Sequence, residues 1–480
     1  MRLGRTALSH FASQIVVTLS GFIATWLIAF LLGPEGLGKY SVIVSLGFFW
    51  LIIPSSAICS AITKRMSENE TPAAFFGGGV ILNLINAFII VSIVLIAGDL
   101  LTGIVSRDRE IIHILITYDL EISVLVLSTI AYSTVMAALN GQKKVAITGW
   151  LGGGERFTRT GLQAGALLLG LGVTGITFGH AGSLGLIIVA AVLFSSLRAS
   201  IPSITHLRSL LNYAKYAWMG ALRGRVFGWL DTIVLSFFVS ASLIGIYEAA
   251  WGIGSMLAIG SQSITKTLFP EMSDLSTDSS YHRVRHYLNE ALAFSGILVI
   301  PGFAGAVVLG ERILQFYRPE FGRGTTILII LIMAYLFDVF ASQFTNVLNG
   351  IDRPDAAFHV NIAFVGLNVL LNIVLIRSIG WHGAAIATAV STGFRVVAGY
   401  WMTELALGGV SVPFTELARQ VAAAVVMVIL LYPVIPLAPV GRFGTALLVG
   451  FGATVYSVVL ISIAPRIRSK ARSVVFNREA

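Results

Sequence analysis

Long apolar runs recur along the whole chain and are separated by short polar segments. Each run has about the 20 residues that a helix needs to cross the hydrocarbon core of a membrane. The pattern predicts an all-α polytopic membrane protein with fourteen transmembrane helices and no soluble domain. The predicted spans are 9–32, 40–62, 75–98, 112–138, 145–171, 175–197, 214–239, 243–268, 287–309, 324–348, 355–376, 381–404, 414–435 and 443–464.

Three short segments of the first half return in the same order in the second half. The pairs, at offsets of 207, 209 and 208 residues, are Phe30–Tyr40 with Phe237–Tyr247, Leu139–Lys144 with Leu348–Arg353, and Gly172–Gly175 with Gly380–Gly383. Each half holds six spans, and an even number preserves orientation, so the halves are predicted to be parallel repeats, as in some transporters. We expect an N-terminal lobe at 1–212, a C-terminal lobe at 213–408, and two additional helices with a basic tail at 409–480.

Composition supports a membrane protein and narrows its partners. Of 480 residues, 56% are hydrophobic and 11% are charged, and mean hydropathy is +0.87. A soluble domain carries about 25% charged residues. The net charge of +9 is expected of cytoplasmic loops and predicts no nucleic-acid partner. Cys59 is the only cysteine, which excludes an intrachain disulfide and a cysteine metal site.

Loop charges predict the orientation of the spans. If the N-terminus is cytoplasmic, the inner loops receive most of the basic residues outside the spans, including Lys143, Lys144 and the cluster from Arg466 to Arg478. The positive-inside rule then places both termini in the cytoplasm of a cell (plasma or inner) membrane, in agreement with an even number of spans.

Enzyme motifs are absent from the sequence. There is no G-x-x-x-x-G-K-[ST] phosphate loop, no G-x-S-x-G elbow and no cluster with metal spacing, so we expect neither an enzyme nor a cofactor. Gly77–Gly79 and Gly152–Gly154 lie inside apolar runs, where glycine usually allows close helix packing or a bend.

Ionisable residues inside the spans mark the candidate site, because charges at membrane depth are costly. The basic candidates for substrate binding are Arg156, Arg159, Arg223, Arg225 and Arg395. The acidic candidates for ion coupling (H⁺ or Na⁺) or counter-ions are Asp119, Glu121, Glu155, Asp231 and Asp338. The surplus of arginine suits an anionic substrate such as a phosphate. The alternative for any single residue is an ion pair that only holds helices together, for example Glu155 with Arg159.

Several segments resemble a known family in order and position. They are Leu32–Ser41, Asp231, Ile244–Ala249, Leu268–Ser273 and Leu348–Gly350. Over essentially the whole chain, they resemble the polysaccharide transporters (Wzx-like oligosaccharide flippases) of the multidrug/oligosaccharidyl-lipid/polysaccharide exporter superfamily.

The resemblance implies a V-shaped fold like that of the drug-exporting relatives, with a cavity open alternately to each side. It also implies a polyprenyl-phosphate- or diphosphate-linked oligosaccharide as substrate, the surrounding membrane lipid as partner and a monomer as functional unit. A cation-coupled drug exporter and a lipid II flippase of the same superfamily remain alternatives. A membrane glycosyltransferase is a further alternative, disfavoured because the outer loop at 99–111 is short.

Overall fold

The computed structural model describes residues 2–48, 53–68, 71–101, 109–194, 197–258 and 281–469. Within these ranges the regular elements are helices and no strand occurs. The helices are α1 (Arg2–Phe48), α2 (Ile53–Glu68), α3 (Pro72–Leu101), α4 (Glu110–Thr117), α5 (Asp119–Gly141), α6 (Val145–Leu168), α7 (Gly172–Phe194), α8 (Ile204–Ser236), α9 (Ala241–Leu257), α10 (Tyr281–Ser295), α11 (Val299–Gln315), α12 (Thr325–Gly350), α13 (Pro354–Ile379), α14 (Trp381–Leu407), α15 (Phe414–Leu431) and α16 (Arg442–Ile463).

The helices confirm the all-α polytopic class. Nine stretches of the described residues are long and apolar enough to cross a membrane. The remaining predicted spans fall on helices that are less uniformly apolar or shorter. Helix α6 carries Glu155, Arg156 and Arg159 in mid-helix. Residues 259–268 of the span predicted at 243–268 lie outside the described residues. Span four is divided at Tyr118 into α4 and α5.

The duplicated turn segments have the same backbone geometry. Lys143 and Asp352 occupy equivalent positions, with φ of 61° and 60°, and no other non-glycine residue in the described chain has a positive φ. In each turn the backbone N–H of the sixth residue donates a hydrogen bond to the carbonyl oxygen of the first. Lys144 donates to Leu139 at 3.0 Å, and Arg353 donates to Leu348 at 2.9 Å. The sequence repeat is therefore also a structural repeat.

The first pair of repeated segments forms a close helix crossing between α1 and α9. A side-chain carbon at Gly38 would lie 1.8 Å from the carbonyl oxygen of Ala241, and one at Gly245 would lie 1.9 Å from that of Pro34. Only glycine on both helices permits this approach. The two copies of the segment thus pack against each other.

The chain divides into two compact units, residues 19–248 and residues 249–480 with 1–18. This division by packing falls inside α9, and the lobe boundaries expected from the repeat stay a prediction. One reason for the place of the division is that α8 packs against the N-terminal helices, where Leu210 joins Ile58, Ile62 and Phe75 in a buried cluster. In the other unit, Val284, Leu288, Val347 and Leu407 form the corresponding core of α10, α12 and α14.

Glycines on α3 confirm the packing prediction. A side-chain carbon at Gly77 would lie 2.1 Å from the carbonyl oxygen of Ser200, and one at Gly79 would lie 2.3 Å from the Ile62 side chain. The other face of α3 presents Leu84 and Phe88, which are exposed. An exposed face of this composition is the kind that contacts lipid.

Candidate functional site

A widely open cavity of about 550 Å³ lies between α2, α5 and α6 in the unit of residues 19–248. This volume is in the range of small-molecule binding sites. None of the lining residues is charged, and six of the eleven carry a hydroxyl or amide group. The lining residues are Cys59, Ser60, Thr63, Tyr132, Ser133, Met136, Ala137, Asn140, Val145, Thr148 and Gly149.

Helix α6 connects this cavity with the charged residues of span five. Val145, Thr148 and Gly149 line the cavity, and Arg156 follows them on the same face, two turns beyond Gly149. The Tyr132 hydroxyl lies 3.8 Å from where a side-chain carbon at Gly152 would be, and Gly153 has nothing within 4 Å. Gly152 is thus at ordinary contact distance from Tyr132, and neither Gly152 nor Gly153 makes a close helix approach to the described residues. The other predicted role, a bend, stays a prediction.

Arg156 is exposed, and its guanidinium forms no ion pair or hydrogen bond with the described residues. Its backbone carbonyl accepts a hydrogen bond from the Thr160 hydroxyl at 2.9 Å, and the Arg156 side chain takes no part in that bond. Of the sequence-predicted arginines whose side chains are described, Arg156 is the one available to a ligand in this conformation.

Arg159 belongs to a polar network that joins α6, α7 and α1. Its Nε lies 3.6 Å from Glu155 Oε1, and its Nη1 lies 3.2 Å from His180 Nε2. The other imidazole nitrogen, His180 Nδ1, lies 3.0 Å from the Tyr40 hydroxyl, which also accepts a hydrogen bond from Gln163 at 2.7 Å.

The network fixes the proton on the His180 ring. Because guanidinium only donates, His180 Nε2 must accept, and the proton of the neutral ring then lies on Nδ1, facing Tyr40. Glu155 also accepts a hydrogen bond from Ser183 at 3.2 Å. Arg159 is therefore held in place by side chains of its own unit.

Arg395 is fully buried in the other unit, and two of its three guanidinium nitrogens donate hydrogen bonds there. Its Nη1 donates to Asp338, and its Nη2 donates to Thr345 at 3.2 Å and to Ser342 at 3.4 Å. Its guanidinium also lies over the Phe364 ring, 5.7 Å from the centroid. In this conformation Arg395 and Asp338 form an ion pair between helices. This is the alternative to substrate binding that the sequence analysis left open for each charged residue. No ligand reaches Arg395 here.

The remaining acidic candidates also have partners in the unit of residues 19–248. Glu121 is buried and accepts a hydrogen bond from Thr174 at 2.7 Å, so it connects α5 and α7. Asp231 is buried and accepts a hydrogen bond from Tyr247. Asp119 accepts the N–H of Leu120 at 2.7 Å at the start of α5.

Arg223 and Arg225 lie on α8, but their side chains are outside the described residues. The prediction that they bind substrate therefore lies outside the described residues.

Sequence reasoning missed three groups inside spans. His180 and Gln163 complete the Arg159 network, and Glu248 on α9 accepts a hydrogen bond from Thr232. The signal was present for His180 and Glu248, because an ionisable residue inside a span is a candidate by default. For Gln163 and Tyr132, the sequence carried no signal beyond their type.

The sequence matches two family descriptions. Residues 3–276 match a family described as polysaccharide biosynthesis protein, and residues 175–456 match that of the lipid II flippase MurJ. The chain is 27% identical, over 98% of both chains, to the probable flippase AglR of Haloferax volcanii. It is also 27% identical to the probable low-salt glycan biosynthesis flippase Agl15 of the same organism, over 83% of this chain and 82% of that one.

Solved structures give the same fold. An inward closed conformation of the lipid II flippase MurJ matches with a TM-score of 0.81 at 16% identity, covering 96% of this chain and 100% of that chain. An inward-facing multidrug resistance MATE family transporter of the MOP superfamily matches with a TM-score of 0.69 at 12% identity, covering 82% of this chain and 94% of that chain. The chain therefore belongs to the polysaccharide biosynthesis protein family of membrane flippases and has the fold of the MOP superfamily.

Proposed function

We propose that the protein is a flippase for a polyprenyl-phosphate- or diphosphate-linked oligosaccharide. It would move this lipid from the cytoplasmic to the outer leaflet, by alternating access, for assembly of surface polysaccharide or of protein-linked glycan. The observation that carries the proposal is Arg156, an exposed cation that forms no ion pair with the described residues, on the helix face that also lines the polar cavity. The names of the two Haloferax volcanii relatives support the same substrate class.

The physical role of Arg156 is to replace water around the phosphate. Moving a charged head group through hydrocarbon is prohibitive unless the protein supplies compensating groups. Guanidinium donates two parallel hydrogen bonds to phosphate oxygens, which makes arginine better suited than lysine to this task. Arg159, held by Glu155 and His180, adds positive charge one turn along α6.

The proposal is tested by flipping in proteoliposomes. Purified protein is reconstituted with a radiolabelled polyprenyl-phosphate-linked oligosaccharide, and the accessible fraction is measured by oxidation with membrane-impermeant periodate. A hydrogen bond to a charged group contributes about 1.5–3 kcal/mol, so Arg156→Ala should slow flipping about 10- to 100-fold. The matched control is Arg377→Ala, which removes an exposed arginine at the end of α13.

Two results would reject this function. Wild-type protein that leaves the lipid-linked sugar unflipped, with or without an H⁺ or Na⁺ gradient, excludes the lipid substrate. Equal flipping rates for Arg156→Ala and Arg377→Ala would exclude Arg156 as the residue that binds the phosphate. Drug efflux without glycan flipping would favour the small-molecule exporter instead. The gradient arm also identifies the coupling ion, H⁺ or Na⁺. The candidate residues for ion coupling are Asp119, Glu121, Glu155, Asp231 and Asp338.

We also propose that both termini are cytoplasmic in the cell membrane and that a monomer suffices, because one chain contains both repeats. Single cysteines in a Cys59→Ser background test the orientation. A cysteine at Arg468 should react with an impermeant maleimide only after the cells are opened, whereas one at Arg318 should react in intact cells. The reverse pattern would invert the topology.

A further inference from the structure

The cavity between α2, α5 and α6 has a chemical character that the phosphate does not explain. Among its lining residues there is no Asp, Glu, Lys or Arg. The exposed face of α3, by contrast, presents Leu84, Ile85 and Phe88. The cavity is therefore more polar than this face of α3, and none of its described lining residues supplies the cation that an anion would need.

Three hydrogen-bonding groups of the cavity have no protein partner in the described chain. They are the Tyr132 hydroxyl, the Ser133 hydroxyl and the Asn140 amide nitrogen. The Asn140 carbonyl oxygen, in contrast, accepts a hydrogen bond from Thr148 at 2.9 Å, which orients the amide. Hydrogen-bond donors that line a cavity and have no partner among the described residues suit a ligand that carries many hydroxyl groups.

The cavity also lies close enough to Arg156 for one ligand to contact both. Thr148 precedes Arg156 by eight residues on α6, which is about 12 Å along a helix axis. The Tyr132 ring lies between the two levels, next to Gly152, and offers an aromatic face. A phosphate at Arg156 would therefore place the next groups of the same molecule in the cavity.

We propose that this cavity is a subsite for the uncharged sugar or sugars next to the phosphate. The proposal rests on the proposed function and adds to it a residue set and a ligand class, a neutral glycosyl unit. Tyr132, Ser133 and Asn140 donate to its hydroxyl groups, while Arg156 holds the phosphate. Affinity for the sugar and affinity for the phosphate then depend on different residues.

The first test compares two probes on the purified full-length chain. Farnesyl phosphate carries only the phosphate, and farnesyl phosphate linked to glucose or N-acetylglucosamine adds one neutral sugar. At least one glycosylated probe should bind about tenfold more tightly than farnesyl phosphate, by titration calorimetry. The glucuronic acid derivative should show no such gain, because the cavity lining has no cation.

Variants separate the sugar subsite from the phosphate site. Asn140→Ala and Ser133→Ala should each remove most of the gain from the sugar and leave farnesyl phosphate binding unchanged. Arg156→Ala should weaken all probes by the same factor. The matched control is Ser457→Ala, an exposed serine on α16 whose hydroxyl donates only to Ala453 in the previous turn.

The reactivity of Cys59, the only cysteine of the chain, reports whether the sugar binds in the cavity. Cys59 lines the cavity and is half-buried, so a bound sugar should slow its reaction with N-ethylmaleimide, whereas farnesyl phosphate alone should not. Cys59→Ser gives the background.

Three outcomes would overturn the subsite. They are equal affinity of farnesyl phosphate and all neutral glycosylated probes for wild type, a preference for the glucuronic acid probe, and unchanged Cys59 reactivity when a glycosylated probe is bound. Wild-type protein that binds none of the probes would contradict the proposed function itself, and the subsite with it.

Discussion

The buried pair of Arg395 and Asp338 gives a prediction whose size follows from the structure. Arg395 is 0% exposed, and its two terminal guanidinium nitrogens donate to Asp338, Ser342 and Thr345. Removing the carboxylate with Asp338→Leu leaves a cation inside the unit without its counter-charge. Removing one partner of a buried ion pair typically costs about 3–5 kcal/mol.

Replacing both partners should have a much smaller effect. An apolar pair of similar volume restores packing and leaves no buried charge, and such exchanges are often neutral. The double variant Asp338→Leu with Arg395→Met should therefore recover most of the loss. For a unit of 150–250 residues, each kcal/mol of lost stability lowers the melting temperature by about 2–4 °C. The single variant Asp338→Leu should therefore melt about 6–20 °C lower than the wild type.

The assay is heating of the purified protein in detergent, followed by size-exclusion chromatography to measure the monodisperse fraction. The double variant is then tested for flipping. If it is stable and flips normally, Arg395 holds helices together and does not bind substrate. If it is stable but inactive, Arg395 contacts substrate in another conformation. A double variant as unstable as Asp338→Leu would refute the reasoning about the buried charge.

Two further predictions concern the repeated segments. Gly38→Ala should strongly lower the melting temperature in detergent, because its side-chain carbon would lie 1.8 Å from a backbone oxygen, whereas Gly153→Ala, with nothing within 4 Å, should not; equal stability of the two variants would contradict the close crossing. Lys143→Gly should raise the stability by about 1 kcal/mol, because a non-glycine residue at φ 61° carries a left-handed penalty of that order; a lower melting temperature would contradict this.

Much of the fold could be predicted from the sequence because the bilayer imposes a length and a composition on each helix. The repeat was equally accessible, since left-handed turns and close crossings restrict residue type at particular positions. The crossing of Gly38 with Gly245 shows why both copies contain the glycine. The division inside α9 was not predictable, because it depends on which helices pack together and not on which segments are duplicated.

The candidate site was only partly predictable for a different reason. Sequence identifies charges inside spans but not their partners. Arg156, Arg159 and Arg395 look alike along the chain, yet one is exposed, one is held by Glu155 and His180, and one is buried against Asp338. The neutral residues of the cavity carry no charge signal at all, and only the packing of α2, α5 and α6 brings them together.

The repeat itself shows that the cavity belongs to one half of the chain. Helix α13 is the counterpart of α6 at the offset of 209 set by the turn segments. On α6 the face carries Glu155, Arg156, Arg159 and Gln163, and on α13 the equivalent positions are Phe364, Val365, Asn368 and Asn372.

At these positions the helix pair therefore has a charged network in one half, whereas Asn368 and Asn372 form neutral hydrogen bonds in the other. Asn368 donates to Ser391 at 3.0 Å, as Ser183, the counterpart of Ser391, donates to Glu155. Thr148 and Tyr132 of the cavity are replaced by Ala357 and Ala341, which are both buried. The duplicated scaffold keeps its turns and crossings, whereas the exposed cation and the polar cavity occur in the N-terminal copy. A phosphate-linked sugar would thus bind to the N-terminal repeat, because Arg395 of the other repeat is buried and paired with Asp338 in this conformation.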